Sequence, residues 1–274
     1  MAPDILPNFA RVALSILSLI SFTPQYHRLR EQGHCNGLSL YYVLFNLLSA
    51  TEQLTIGLFL NINNGASLRP DAFVNTPATA GDWLNLSQLM IVWLCSIYLF
   101  TLSIRNASQS HERRIQRGAA ITIFVIFLSF SIIPVLIDAS LPSSRSEPRR
   151  WTQDIFALLH YVLLIPLSTA FIIVAAIAQA REIRSRGGDA GALSLPGLTF
   201  QCITFTLVAI SWVVRVKYPP YSPSWVEWYR LIGWTVVNDS LIGCVRGFLL
   251  VIALREGMDE GWGSFERQPL LGFS

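Results

Sequence analysis

Seven stretches of this chain are apolar for long enough to cross a bilayer, and that pattern constrains the fold more than any other feature. They fall at about 9–24, 38–60, 83–104, 119–137, 155–176, 193–214 and 231–254. A helix rises about 1.5 Å per residue, so roughly 20 apolar residues cross the hydrocarbon. Within lipid, every backbone N–H and C=O must bond inside the protein, and a helix does this within one segment. The expected fold class is therefore an all-α membrane protein with seven transmembrane helices. Composition agrees: 52% of residues are hydrophobic and 14% charged, against about a quarter charged in soluble domains. The first run has no cleavage site followed by a soluble domain, so it reads as a span rather than a signal peptide.

Charge and cysteine usage exclude several classes. The net charge is +3, and Lys217 is the only lysine. No dense basic stripe is present to hold nucleic acid. Cys35, Cys95, Cys202 and Cys244 are widely spaced without a zinc pattern and read as small buried residues. No aspartate-rich pair is present to bind magnesium and a diphosphate, so neither a metal nor a cofactor is expected. Eleven arginines flank the loops after spans one, three and five and the tail, against eight basic residues on the other side. That bias predicts a lumenal N-terminus and a cytoplasmic C-terminus in the endoplasmic reticulum or another endomembrane. Residues 140–152 read as a loop, and 255–274 as a flexible tail.

The chain repeats itself. "TPQYHRLREQGHCNGLSLYYVLFN" at 23–46 matches "IAQAREIRSRGGDAGALSLPGLTFQ" at 177–201. Each copy has a Gln at the end of a span, a basic turn, a glycine, Leu-Ser and then a new span. The spacing predicts two parallel three-helix repeats, 9–104 and 155–254, joined by a linker helix at 119–137. Gln25 and Gln179 are expected to tie helix ends, where backbone groups lack partners.

Polar residues at membrane depth are costly and usually functional or paired. Glu52 lies in span two, with Ser49 and Thr55 on its face. Asp239 lies in span seven, next to Asn238 and two turns from Arg246. Gln88, His160 and Gln201 are further polar groups inside spans, each explicable as an interhelical hydrogen bond. Tyr41, Tyr42, Trp93, Trp212 and Trp234 could line a substrate site or pack the bundle.

Pro24-Gln25 followed by Gly37-Leu38-Ser39 resembles the PQ-loop motif of seven-span membrane proteins built from two three-helix repeats. In the second copy Ala178-Gln179 stands in place of Pro-Gln, while Gly191 and Leu193-Ser194 follow. The resemblance implies helix bending near the prolines during transport, a role Pro166 and Pro196 could share. In size, span count and acid placement, the chain is also similar to fungal membrane-bound terpene cyclases of the ascofuranone and ascochlorin type. That resemblance implies acid-initiated cyclisation of a lipophilic prenyl or epoxy-prenyl substrate in meroterpenoid biosynthesis. Glu52 and Asp239 would be catalytic, sharing one proton in one cavity. Tyr42, Trp93, His160, Trp212, Trp234 and Arg246 would surround the substrate, and membrane lipids would be the other partner.

A terpene cyclase is the leading expectation. The alternative is a PQ-loop small-metabolite transporter whose intramembrane acids couple to protons, and a noncatalytic receptor or assembly factor is the third class. A cyclase calls for an aromatic-lined pocket open to lipid. A transporter calls for a polar centre between the repeats.

Overall fold

The computed structural model of the chain describes residues 6–63, 73–107, 111–140, 147–186, 191–216 and 224–266, with side chains throughout these except at 111–113, 147–150 and 257–266. Arg69, Arg145, Lys217 and Arg267, counted above for topology, lie outside the described residues. The helices are α1 (Asn8–Gln32), α2 (Leu40–Ile62), α3 (Ala80–Arg105), α4 (His111–Ser140), α5 (Glu147–Ala157), α6 (Ile165–Arg184), α7 (Leu195–Arg215), α8 (Trp225–Trp228) and α9 (Trp234–Glu266). A π-helical turn at Leu158–Leu164 joins α5 to α6, and another at Tyr229–Gly233 joins α8 to α9. The described residues thus form seven rods and no strand.

Six rods are long and apolar enough to span a membrane; α1 is not among them. At 25 residues its length suffices, but its hydropathy is lowered by the stripe Arg11, Ser15, Ser18, Ser21 and Gln25, all buried. Its other face turns Phe9, Ile16, Leu19 and Ile20 outward. Polar inside and apolar outside is the inverse of a water-soluble helix, and it places α1 in the bilayer with its polar face against the bundle. The buried hydroxyls bond to carbonyls of their own helix: Ser15 to Arg11 at 2.9 Å, Ser18 to Leu14 at 2.8 Å and Ser21 to Ser18 at 2.8 Å.

The rods exceed the apolar runs at several ends. α1 continues through Pro24 to Gln32 instead of stopping at the proline. Pro24 has no N–H for the Ile20 carbonyl, and the Thr23 hydroxyl donates to that carbonyl at 2.7 Å. The expected loop at 140–152 becomes helix from Glu147, and α9 runs into the expected tail as far as Glu266. A local constraint accompanies the π turn at Leu158–Leu164. It runs directly into Pro166, whose ring and missing N–H disfavour a regular α-turn there.

Packing follows the repeat. α1 packs on α3 and α2 on α3; correspondingly, α6 packs on α9 and α7 on α9. Between the halves, α1 meets α7 and α2 meets α6. α4 stands outside this scheme, packing on α2 with only 17% of its apolar window buried, against 78% for α2. It is peripheral, turning Ile121, Val125, Phe130 and Leu136 outward. α7 and α9 approach closely at Gly243 and Gly247, where a Cβ would stand 2.8 Å from Thr206 Oγ1 and 3.2 Å from Cys202 Sγ. The cysteines divide: Cys35 and Cys95 are buried as expected, whereas Cys202 is half-buried and Cys244 is exposed on an outward face.

Candidate functional site

The two turns that carry the repeat meet face to face. The Gln25 amide donates to the Ala192 carbonyl at 2.7 Å and accepts from the Ser194 N–H at 2.9 Å. The Gln179 amide donates to the Gly37 carbonyl at 2.8 Å and accepts from the Ser39 N–H at 2.9 Å. Each glutamine therefore satisfies the turn of the opposite half rather than its own helix end. Gly37 (φ 92°) and Gly191 (φ 51°) supply the left-handed backbone. At Gly191 there is also no room for a side chain, since a Cβ would lie 2.3 Å from the Asn36 carbonyl oxygen.

Deeper in the bundle, a small cavity of about 10 Å³ lies between the halves, its wall mostly apolar with three polar side chains on it, large enough for roughly one water. Its lining includes Gln53 of α2, Gln88 of α3, Trp212 of α7 and Asp239 of α9. Gln88 accepts from Arg215 Nη1 at 2.6 Å and donates to the Ser18 hydroxyl at 3.4 Å. Asn85 Oδ1 accepts from Arg215 at 3.2 Å and from Arg11 at 3.1 Å. Asp239 faces Arg215 electrostatically and sits beside Trp212. Asn238, by contrast, points to α6, where it accepts from Thr169 at 2.6 Å and contacts Ser168 at 3.5 Å.

Glu52 is elsewhere. It is fully buried, and its Oε1 lies 2.7 Å from His160 Nδ1, on the π turn. His160 stacks on Phe156, which stacks on Phe59, with ring centroids 3.9 Å apart at each step. Ser131 and Tyr161 lie near the carboxyl group, while its Oε2 and His160 Nε2 have no hydrogen-bond partner. Neither expected neighbour holds Glu52: Thr55 bonds to the Thr51 carbonyl at 2.8 Å, and the Ser49 hydroxyl has no partner. One residue step turns a helix by about 100°, so Gln53 reaches the central cavity and Glu52 turns toward the π turn and α4. The shared cavity expected for Glu52 and Asp239 does not form; only Asp239 lines it.

The remaining candidates separate. Trp212 lines the central cavity. Phe73 stacks between Trp212 and Trp234, with centroids 5.4 Å from each, closing the bundle on that side. Tyr42 lies under the Arg246 guanidinium at 4.6 Å, and Trp93 donates to Thr51 Oγ1 at 3.1 Å. Tyr41 is exposed, and Gln201 contacts the Ser21 carbonyl at 3.4 Å.

An apolar groove of about 330 Å³ opens outward between α2, α4, the first π turn and α6, lined by Phe45, Phe127, Phe130, Phe171 and aliphatic residues. Neither Glu52 nor Asp239 is on its wall. Among the described residues, no cluster of His, Cys, Asp or Glu could hold a metal.

Arg11 and Arg215 escaped the sequence reading, which counted them as loop charges. Both are buried, at 1% and 6% exposure. For Arg11 the signal was present: Arg11, Ser15 and Ser18 fall at i, i+4 and i+7, one helical face. Compared with known proteins, the chain matches no model of a protein family. No curated protein and no solved structure matches it either.

Proposed function

We propose that this protein is a proton-coupled transporter of a small metabolite. The observation carrying this reading is that buried polar side chains of both halves, Gln53 and Gln88 from one and Asp239 from the other, meet at a small cavity between them. A solute held at such a seam is released to either side when the halves rock. The turns tied through Gln25 and Gln179 lie at one end of that seam, and the Phe73, Trp212 and Trp234 stack lies at the other. Glu52 and His160 supply a proton site next to the cavity helix, because a buried carboxyl and imidazole at 2.7 Å can hold one shared proton or release it. The resemblance to PQ-loop proteins, the two three-helix repeats and the endomembrane placement with the tied turns cytoplasmic belong to the same reading.

Acid-initiated cyclisation is the second reading. It is supported by the lipid-facing groove with its four phenylalanines, and it lacks a carboxyl group on the groove wall.

The test uses purified protein in sealed proteoliposomes with a pH dye inside. Small metabolites are added outside under an imposed pH gradient. Wild type should show solute-dependent proton movement, and Glu52→Gln should reduce it at least about tenfold while sparing solute exchange. Loss of an epoxy-prenyl cyclisation activity in Glu52→Gln membranes, with no solute-dependent proton flux in wild type, would replace transport with the cyclase.

A further inference from the structure

Glu52 and His160 are sealed inside the bundle, both at 0% exposure, so a proton that reaches them needs a route. On the side of the tied turns, the seam between α2, α4 and α6 is the apolar groove walled by Phe45, Leu48, Phe127, Leu164 and Phe171. Toward the opposite end, polar groups return. Asp138 of α4 is 1% exposed and accepts from Asn63 Nδ2 at 2.6 Å. Asn63, which caps the end of α2, in turn accepts from Gln153 Nε2 of α5 at 2.6 Å. A buried polar chain thus joins the last turns of α2 and α4 to α5. The sequence reading passed over all three residues.

One face of α4 leads from this chain to the inner pair. Ser131 lies near the Glu52 carboxyl group, and Asp138 follows it by two turns, about 10 Å along the axis. Between them stands a plug of Phe59, Val135 and Phe156, packed together and each 1% exposed. Phe156 stacks on Phe59 and on His160, with centroids 3.9 Å apart in both cases. Protons pass along water or hydrogen-bonding groups, and three hydrocarbon side chains supply neither. The plug therefore parts for exchange, and any motion of Phe156 is felt by the His160 ring.

We propose that Asp138 is the entry station for the proton of the Glu52 and His160 pair, with Phe59, Val135 and Phe156 as the gate between them. Asp138 takes a proton from a hydronium ion, leaving water. It passes that proton inward through water admitted by the parted plug. The pair gains the proton, and Asp138 returns to a carboxylate. Besides each other, the pair faces Ser131 of α4 and Tyr161 of the π turn. The proposal rests on the transport reading for its purpose, though not for its geometry.

The test reads hydrogen exchange at His160 in the full chain in detergent micelles, without solute or pH gradient. The chain has four histidines, and every protonation state of an imidazole carries an N–H. Isotope-labelled histidine resolves the rings by NMR, and the signal lost in His160→Gln assigns the one of interest. In heavy water, Asp138→Asn should slow exchange of that N–H about tenfold, and Asp138→Glu should restore most of the rate. Asparagine there still accepts from Asn63, and a variant that merely loosened the bundle would exchange faster, not slower. Val135→Thr, which puts a hydroxyl in the plug, should speed exchange about tenfold, and adding Asp138→Asn should cancel the gain. Unchanged or faster exchange in folded Asp138→Asn would overturn the proposal. Should that variant fail to fold, Val135→Thr alone decides, since a wild-type rate there would remove the gate. Slowed exchange in Asp138→Asn with no solute-dependent proton flux in wild-type proteoliposomes would keep the route and reject transport. Flux in wild type with exchange indifferent to Asp138 would reject the route and leave transport standing.

Discussion

The junction around Gln25 and the junction around Gln179 do the same structural work with different chemistry. Both glutamines clasp the opposite turn with one donated and one accepted bond of 2.7 to 2.9 Å. Beside them, the corresponding residues are Thr23-Pro24 in one copy and Ile177-Ala178 in the other. Where proline removes an N–H, a threonine hydroxyl meets the freed Ile20 carbonyl at 2.7 Å. Where alanine keeps its N–H, isoleucine suffices within continuous helix. One turn further on, Arg28 donates to the Gly191 carbonyl at 3.0 Å, while its counterpart Glu182 accepts from the Gly37 N–H at 3.3 Å. The clasp depends on a complete set of backbone partners, and the proline is incidental to it. The two copies reach that condition by paired changes, so a single change that separates a pair should be costly.

The largest effect should come from imposing the first copy's proline on the second. Ala178→Pro frees the Val174 carbonyl with no hydroxyl to meet it and should cost about 3 kcal/mol. Adding Ile177→Thr should recover about 1 kcal/mol of that, and thermal unfolding of both variants in micelles measures the difference. No recovery would mean that ring sterics, not the missing bond, set the cost. Next come Gln25→Ala and Gln179→Ala, each leaving one carbonyl and one N–H without a partner, at about 2 kcal/mol apiece. Equal losses in unfolding midpoint are expected, and a severalfold inequality would break the equivalence of the halves. Smallest is Thr23→Val, at about 1 kcal/mol in the wild-type background and near zero when Pro24 is already alanine. A double-mutant cycle reads that coupling directly, and additive values would uncouple Thr23 from Pro24.

Insertion into lipid follows hydropathy summed along the chain, so the sequence by itself determined the all-α class and six of the rods, while α1 is placed by its outward apolar face. The repeat was equally legible, because Gln25, Leu38 and Ser39 recur as Gln179, Leu193 and Ser194 in the same order. The partners of the buried charges were not. Glu52 meets His160 across 108 residues, and Arg215 meets Gln88 across 127. Those pairings depend on the angular phase of each helix and on which helix packs beside it. A step of one residue sends Gln53 to the central cavity and Glu52 to the π turn. Apolar content along a span does not encode that phase, because lipid accepts any apolar face. Only packing of one half against the other decides which polar groups face inward, and there an unmet donor in a water-free interior is costly enough to fix the choice.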